Sequence, residues 1–431
     1  MGQDPLRDPP NAGTPMDARL RLSPSASILV MLVLVILLGW YSFPRHPLLL
    51  RDLPEQGGYD YFYFFATTRA LEAGLEEVYL SDEMGRFSLE LSQGRWEIRG
   101  NHPLPFYLLY RPLARLDFQT GYLVHLWLGL GLYAVGVVTL TRNLIREPRL
   151  AWAISALLTA GGLLLGPGVD NIWLGQIGHH LAFALAMTFV LGSSGRPAGA
   201  GFFLALAVLF KLYPALLALY YLRRGNWQTV AWMVGTLVIL GLVSGLLWGF
   251  GHYANFLEWA TRTGYRSVLS NQSLMGLLAL LFGEDASPRL KVLNLLALGG
   301  VSAGLLAAGR RWGGDSRPRQ ALEFSAWVLA STILAPLSWA HHHLVLLLPL
   351  LAFAALAYED PENRNFGFLG MGLVCLTWFL EGEVVTRDWI RTLHYQVCLW
   401  RIGLAMLSLI MGACLVGMAR TAPREDSAPA T

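Results

Sequence analysis

An acidic residue stands among aromatic residues in the stretch Gly57-Gly58-Tyr59-Asp60-Tyr61-Phe62. A carboxylate at an apolar interface has a raised pKa and can take a proton from a hydroxyl group, which is the role of a general base. Tyr61, Phe64 and Thr68 follow at helical spacing, so a helix is predicted to begin at Asp60. An N-cap aspartate is the simpler interpretation, and the two roles are compatible. We predict that Asp60 is a catalytic base.

A lysine interrupts a long apolar stretch in Phe210-Lys211-Leu212-Tyr213-Pro214. An unpaired ammonium at the edge of the hydrocarbon is costly. One interpretation is that the long side chain of Lys211 extends to the membrane surface, which lowers this cost. The other is that the ammonium binds a phosphate group as a point charge. The second interpretation predicts a phosphate-binding site at Lys211.

Three consecutive histidines, His341 to His343, follow a stretch that Pro336 interrupts. Adjacent residues on a helix point in different directions, so the three rings cannot bind one metal ion together. A single imidazole can instead donate a hydrogen bond or a proton to a phosphate oxygen. His341 and His342 are therefore predicted to bind the same phosphate as Lys211, and no metal site is predicted.

Short polar runs occur between apolar segments at Gln176 and at Asn271-Gln272. Such amides often cap helices, and that interpretation stays open. Amides together with aromatic faces also bind hydroxyl-rich ligands such as sugars. Tyr59 and Trp339 are aromatic residues predicted on the same side of the membrane. The predicted substrate-binding residues are therefore Tyr59, Gln176, Asn271, Gln272 and Trp339.

The composition defines the elements that must hold these residues. Of 431 residues, 54% are hydrophobic and 14% are charged, and the mean hydropathy is +0.45, so the chain is too apolar for a soluble globular protein. Spanning segments must satisfy their backbone groups internally, which predicts an all-α polytopic membrane protein with about twelve transmembrane helices. One transmembrane domain, residues 26–419, is predicted between cytoplasmic tails at 1–25 and 420–431.

The distribution of Lys and Arg orients the chain in the membrane. Basic clusters separate apolar segments near residues 142–149, 223–224 and 310–319. The positive-inside rule places them in the cytoplasm. Alternate crossings then place the long first loop, residues 44–103, outside, where short interfacial helices and the aromatic residues around Asp60 are expected to anchor it. The same count, with a helix break at Lys211, puts Asp60, Lys211 and the three histidines on that outer side.

Several common sites are absent from the sequence. There is no Walker-type glycine loop, no dinucleotide fingerprint and no G-x-S-x-G elbow, so no nucleotide cofactor is predicted. The net charge of +3 reflects topology, and nucleic-acid binding is not predicted. The cysteines lie in apolar segments without metal-ligand spacing and are predicted to be packing residues: Cys375, Cys398 and Cys414.

Separated stretches together resemble the bacterial polyprenol-phosphate-mannose-dependent α-(1→2)-mannosyltransferase family, which has the GT-C architecture. The stretches are Asp60 through Gly74, Pro103 to Pro112 with Trp127, Gly175-Gln176, Lys211 to Pro214, Asn271 to Leu274 and Ser338 to His342. The resemblance implies an inverting sugar transfer, most simply of mannose, from a polyprenyl-phosphate donor to a glycolipid or glycan hydroxyl on the outer face of the cytoplasmic membrane.

The resemblance also implies roles for individual residues. Asp60 corresponds to the family's base in the first outer loop, and His341 or His342 to its histidine near the donor phosphate. The family usually carries an asparagine shortly after Gly-Gln, whereas this chain reads Gly175-Gln176-Ile177-Gly178-His179. Two alternatives stay open: a secondary transporter, against which the lack of an inverted repeat argues, and a lipid-linked polysaccharide ligase or polymerase.

Overall fold

The computed structural model describes residues 23–42, 57–262, 271–282, 288–386 and 393–422. Residues 1–22 and 423–431 of the predicted tails and residues 44–56 of the predicted outer loop lie outside these ranges. The α-helices of the described residues are α1 Pro24–Ser42, α2 Tyr59–Glu72, α3 Asp82–Leu91, α4 Leu104–Tyr110, α5 Phe118–Leu144, α6 Pro148–Leu164, α7 Gly166–Leu174, α8 Gly178–Ser193, α9 Pro197–Phe210, α10 Leu217–Arg223, α11 Trp227–Trp248, α12 Gly251–Arg262, α13 Leu274–Phe282, α14 Pro288–Trp312, α15 Arg317–Ile333, α16 Leu347–Glu359, α17 Arg364–Thr386 and α18 Leu393–Arg420. Short 3₁₀ helices cover Leu113–Arg115, Tyr213–Leu216 and Ala340–Leu346.

The predicted all-α class is confirmed, because the described residues contain helices and no strand. Among them, four helices are long and apolar enough to cross a membrane: α5, α11, most of α14, and α16 with the 3₁₀ turn before it. The pair α6 and α7, bent by 55°, makes a fifth if it counts as one span. The predicted number of about twelve spans is not confirmed, since helices such as α8 and α9 are apolar but shorter.

Glycines let the central helices pack closely. α8 lies between α5 and α9, and α9 packs on α11. A Cβ atom at Gly136 in α5 would lie 3.0 Å from the Cα of Phe183, and one at Gly201 in α9 would lie 2.6 Å from the Cβ of Trp232. Small residues permit such close helix contacts within a membrane. A second group of helices, α15 to α18, packs beside α5, α8, α9 and α11, and α16 makes the contact with α5. α1 lies against α6 and α17.

The aromatic helix α2 is buried in protein. Tyr61 and Phe64 are 0% and 1% exposed. Their rings lie 5.7 Å from Phe118 and 5.0 Å from Phe106 respectively. The expectation that these two residues anchor the loop at the membrane interface is wrong, because α4 and the start of α5 cover them. Tyr59, 39% exposed, is the member of this group that remains on the surface.

The basic turns meet at one end of the bundle. Arg317 Nη1 donates to the carbonyl of Asn143 at 2.7 Å, and Arg223 Nη1 donates to the carbonyl of Gly309 at 3.0 Å. These contacts join turns that lie far apart in the sequence. The spans between them return to the opposite end, where α2, the end of α9 and the start of α16 lie. The predicted break at Lys211 is present, since α9 ends at Phe210 and α10 begins at Leu217.

Candidate active site

Asp60 is the second residue of α2, and the N-cap position belongs to Gly58. Gly58 has a φ of 84°, a left-handed conformation that a residue with a side chain rarely adopts. Asp60 therefore does not act as the N-cap. Its Oδ2 instead accepts a hydrogen bond of 2.7 Å from Gln176 Nε2. The position in the first turn also exposes the carboxylate to the favourable field of the helix N-terminus.

The end of α7 fixes Gln176 beside this carboxylate. Gly175 closes α7 in the left-handed conformation, with a φ of 69°. Its missing side chain leaves room for Tyr61 and Tyr122, whose nearest atoms would lie 2.6 and 2.9 Å from a Cβ at this position. The carbonyl of Gln176 accepts from His125 Nε2 at 3.3 Å. The backbone N–H of Gly58 donates to the carbonyl of Trp173 at 2.9 Å, which ties the start of α2 to the same turn.

Lys211 lies in the break after α9, with an extended backbone that ends the helix. Its ammonium attracts the carboxylate of Asp60 electrostatically. Burial raises the pKa of the Asp60 carboxyl above its ordinary value of 3.8, although the Gln176 hydrogen bond and Lys211 act in the opposite direction. Lys211 also acts electrostatically on His341 and His342. The structure thus brings the predicted base and the predicted phosphate-binding residues into one polar cluster.

The histidines lie in the 3₁₀ helix that precedes α16. The rings of His341 and His342 are perpendicular, with centroids 4.6 Å apart. Trp339 stacks on His341 at 6.1 Å, and Tyr213 lies 5.8 Å from His342. Within the described residues, the Nε2 atoms of both histidines are buried and have no hydrogen-bond partner. These two ring nitrogens are therefore able to hydrogen-bond a ligand that enters the cluster.

Asn271 and Gln272 differ in what they do. Asn271 Nδ2 donates to the carbonyl of Pro336 at 2.9 Å, and its Oδ1 accepts from the N–H of Ser338 at 2.9 Å. The amide of Asn271 is therefore used to hold the loop before Trp339. Gln272 donates its backbone N–H to Ser338 O at 2.6 Å, while its Oε1 is buried without a partner in the described part of the chain. Gln272 remains the better substrate-binding candidate of the two.

Tyr59 does not belong to the buried polar cluster. Its hydroxyl lies 3.1 Å from the hydroxyl of Tyr63, and its ring meets the edge of Trp96 at 5.9 Å. Tyr59 precedes Asp60 in the chain, but its ring is 39% exposed. Tyr59 therefore lies at the surface, outside the cluster of Asp60, Lys211 and the histidines.

Two residues of this region escaped sequence reasoning. His102 stacks on Phe106 at 4.1 Å and is near enough to Lys211 to feel its charge. Burial lowers the pKa of the His102 ring well below its ordinary value, and Lys211 adds to this effect. The position of His102 just before Pro103, at the end of the predicted outer loop, is the sequence feature that could have indicated it. Asn171 is not among the residues that the sequence patterns indicate, but it is fully buried and its Nδ2 donates to the carbonyl of His341 at 2.7 Å.

The fold and this cluster define an all-helical membrane protein with a carboxylate, a lysine and imidazoles gathered at one end of the bundle. A sequence profile of glycosyltransferase family 87 matches residues 101–337. The chain belongs to glycosyltransferase family 87 and is a glycosyltransferase, which confirms the predicted enzyme class.

Mycobacterial proteins are similar to this chain. One from Mycolicibacterium smegmatis is a polyprenol-phosphate-mannose-dependent alpha-(1-2)-phosphatidylinositol mannoside mannosyltransferase, 27% identical over 313 residues, which are 65% of this chain and 68% of that protein. Another from the same organism, 27% identical over 293 residues, which are 65% of this chain and 69% of that protein, acts on the pentamannoside. A Mycobacterium tuberculosis protein named like the first is 26% identical over 356 residues, 75% of this chain and 79% of its own length. The predicted family resemblance is confirmed. No solved structure matches the chain.

Proposed function

We propose that the protein transfers mannose from a polyprenyl-phosphate donor to a hydroxyl group of a glycolipid acceptor, on the outer face of the cytoplasmic membrane. The names of the mycobacterial relatives support this donor, and they name phosphatidylinositol mannosides as acceptors of those proteins. A glycan acceptor is compatible with the same chemistry. The polar cluster lies at the end of the bundle opposite the basic turns, which supports the outer face by the positive-inside rule.

In this proposal Asp60 is the general base of an inverting transfer. The acceptor oxygen forms a bond to the anomeric carbon while the bond from that carbon to the phosphate oxygen breaks. The acceptor proton passes to Asp60, and the bonding electron pair leaves with the polyprenyl phosphate. One base suffices for a single displacement with inversion. The raised pKa of a carboxyl held by Gln176 at 2.7 Å is the observation that carries the assignment.

Lys211, His341 and His342 are proposed to bind the donor phosphate. The leaving phosphate carries its negative charge already, so preorganised cations and N–H donors stabilise it as the bond breaks. The buried, unpartnered Nε2 atoms of the two histidines among the described residues support this role. Gln272 and Trp339 are proposed to contact the sugar, since an amide oxygen accepts from hydroxyls and an aromatic ring packs on a sugar face.

A transfer assay tests the proposal. Purified protein in lipid nanodiscs is given polyprenyl-phosphate mannose, glucose or arabinofuranose in turn, with a phosphatidylinositol mannoside as acceptor. We expect transfer of mannose, and a product whose anomeric configuration by NMR is opposite to that of the donor. Retained configuration contradicts the single displacement. Transport of a sugar across a vesicle membrane without transfer supports the transporter alternative and contradicts the proposal.

Cysteine labelling tests the proposed face. Tyr59→Cys and Arg146→Cys, each made in a Cys398→Ser background, place thiols at exposed positions at opposite ends of the bundle. The remaining native thiols, of Cys375 and Cys414, are buried. A membrane-impermeant reagent added outside intact cells is expected to label residue 59 and not residue 146. The reverse pattern contradicts the proposed orientation.

A further inference from the structure

One buried amide joins the two halves of the proposed site. Asn171 in α7 is 0% exposed. Its Nδ2 donates to the carbonyl of Pro167 and to that of His341, each at 2.7 Å, and its Oδ1 accepts from the N–H of Gly178 at 2.7 Å. Both side-chain donor hydrogens and the acceptor are therefore used, and His341 lies 170 residues from Asn171 in the sequence.

The backbone of the same residue holds the other half of the site. The carbonyl of Asn171 accepts from the N–H of Gln176 at 2.9 Å, and Gln176 is the residue that donates to Asp60. The side chain of Asn171 also caps α8. Its Oδ1 accepts from the N–H of Gly178, the first residue of α8, whereas the N-cap residue Ile177 makes no side-chain hydrogen bond there. Asn171 therefore sets the position of Gln176 from one side and of His341 from the other.

Gly178 leaves the space that this amide fills. A Cβ atom built at residue 178 would lie 2.6 Å from both Cγ and Nδ2 of Asn171, and closer still to its Oδ1. Real Cβ atoms do not approach heavy atoms so closely, so a side chain at 178 and the amide of Asn171 exclude each other. The Gly-Gln run of this chain is followed by Ile177 and Gly178, and the amide of Asn171 occupies the space beside the Cα of Gly178.

We infer that Asn171 is a positioning residue that fixes His341 relative to Asp60, and that Gly178 is required because Asn171 occupies its side-chain space. The inference rests on the proposed function only for its effect on transfer. Asn171 does not touch the reacting atoms, but the distance between the base and the phosphate-binding histidine depends on it. A displacement of about 1 Å at a reacting centre can lower a rate by about 10²-fold.

Four variants test the shared space: Asn171→Ala, Gly178→Asn, the double variant Asn171→Ala/Gly178→Asn, and Asn171→Asp. Asn171→Ala removes the amide, and Gly178→Asn forces two amides into one volume, so each is expected to lower the melting temperature and to cut turnover about 10²-fold. The double variant moves one amide by seven residues into the vacated space and is expected to recover part of both losses. Asn171→Asp keeps the shape and the contact with Gly178, but it turns an oxygen towards two carbonyl oxygens, so its turnover is expected to fall in protein that remains folded.

Asn363→Ala is the matched control. Asn363 is also buried and lies just before α17, where its Nδ2 donates to Asp360 at 2.9 Å, far from the polar cluster. It is expected to lower the melting temperature and leave turnover per folded molecule unchanged.

A double variant less stable than both single variants overturns the shared-space inference. Unchanged turnover per folded molecule in Asn171→Ala or Asn171→Asp overturns the positioning role. Absence of transfer in the unmodified protein contradicts the proposed function instead, and the melting temperatures of the four variants still decide whether the two positions share one space.

Discussion

Two charged clusters lie at opposite ends of the bundle and differ in how their charges are satisfied. At the basic end, Glu323 in α15 is 1% exposed and pairs directly with Arg223 and with Arg224, the latter at 3.1 Å. Arg224 also reaches Asp315 at 3.3 Å. Every charge in this cluster meets an opposite charge, as a buried ion pair requires.

At the other end, the charges are close but not paired in this way. Asp60 accepts from the neutral amide of Gln176. Lys211 attracts Asp60 electrostatically, but no direct ion pair joins them within the described residues. The Nε2 atoms of His341 and His342 are buried there without partners. The first cluster is a structural contact between helices in which the carboxylate of Glu323 meets two guanidinium groups. The second has unused binding capacity, which is the arrangement expected where a charged ligand is bound.

Asp60→Asn gives the largest expected effect on function. The amide cannot accept the acceptor proton, so turnover is expected to fall by about 10²- to 10⁴-fold, the usual contribution of a general base. The melting temperature and the affinity for polyprenyl phosphate are expected to stay near those of the unmodified protein, because the side-chain shape is kept. Turnover with the donor and the melting temperature are measured on the same preparation. Full turnover in Asp60→Asn removes Asp60 from the role of base.

Glu323→Ala is expected to lower stability and leave turnover unchanged, which is the opposite of the effects of Asp60→Asn. It leaves Arg223 without its carboxylate and Arg224 with only the exposed Asp315, and removing one partner of a buried ion pair costs about 3–5 kcal/mol. Thermal unfolding is expected to show this loss, while turnover per folded molecule stays unchanged. Arg317→Gln is the control, since Arg317 makes its contact with Asn143 at the surface. A folded Glu323→Ala protein without transfer activity would contradict the division into a structural and a ligand-binding cluster.

Lys211→Met tests whether the second cluster binds an anion. Methionine keeps much of the apolar stem and removes the charge. Hydrogen bonds to charged groups contribute about 1.5–3 kcal/mol, so the affinity for polyprenyl phosphate is expected to fall by about 10- to 100-fold. Binding is measured with polyprenyl phosphate without sugar, which separates donor binding from catalysis. Lys291→Met is the control, because the Lys291 ammonium is outside the polar cluster and donates to the carbonyl of Thr261 at 3.0 Å. Equal affinity in Lys211→Met and the control removes Lys211 from the phosphate site.

The sequence predicts the components of this site better than their contacts. The positive-inside rule placed Asp60, Lys211 and the histidines on one side, and the helix break at Lys211 follows from the charge of the next basic turn and from Pro214. Charge and proline act locally, so they are visible in a sequence. The ion pair of Glu323 with Arg223 was not predicted, because nothing near Glu323 in the sequence indicates a partner 100 residues away.

The misassigned residues have a similar explanation. Tyr61 and Phe64 were expected at the membrane interface because their aromatic character suits it, but α4 and α5 cover them. Hydrophobicity alone does not distinguish lipid from protein as the neighbour. Asn171 follows Gly166-Pro167-Gly168, a stretch with no local sign of its role, because that role depends on a carbonyl 170 residues later.

Gln176→Leu gives the smallest expected effect and tests the neutral partner of Asp60. The hydrogen bond from Gln176 lowers the pKa of the Asp60 carboxyl, in opposition to burial. Leucine removes this hydrogen bond. The pKa of the Asp60 carboxyl is therefore expected to rise further. The proposed base acts when ionised, and its activity is lost as the pH falls through this pKa. The acid limb of the turnover–pH profile should therefore move to higher pH, with a smaller change on the alkaline side. Gln320→Leu, at the exposed basic end, should leave the limb in place. A limb that stays or moves to lower pH in Gln176→Leu shows that another group controls it.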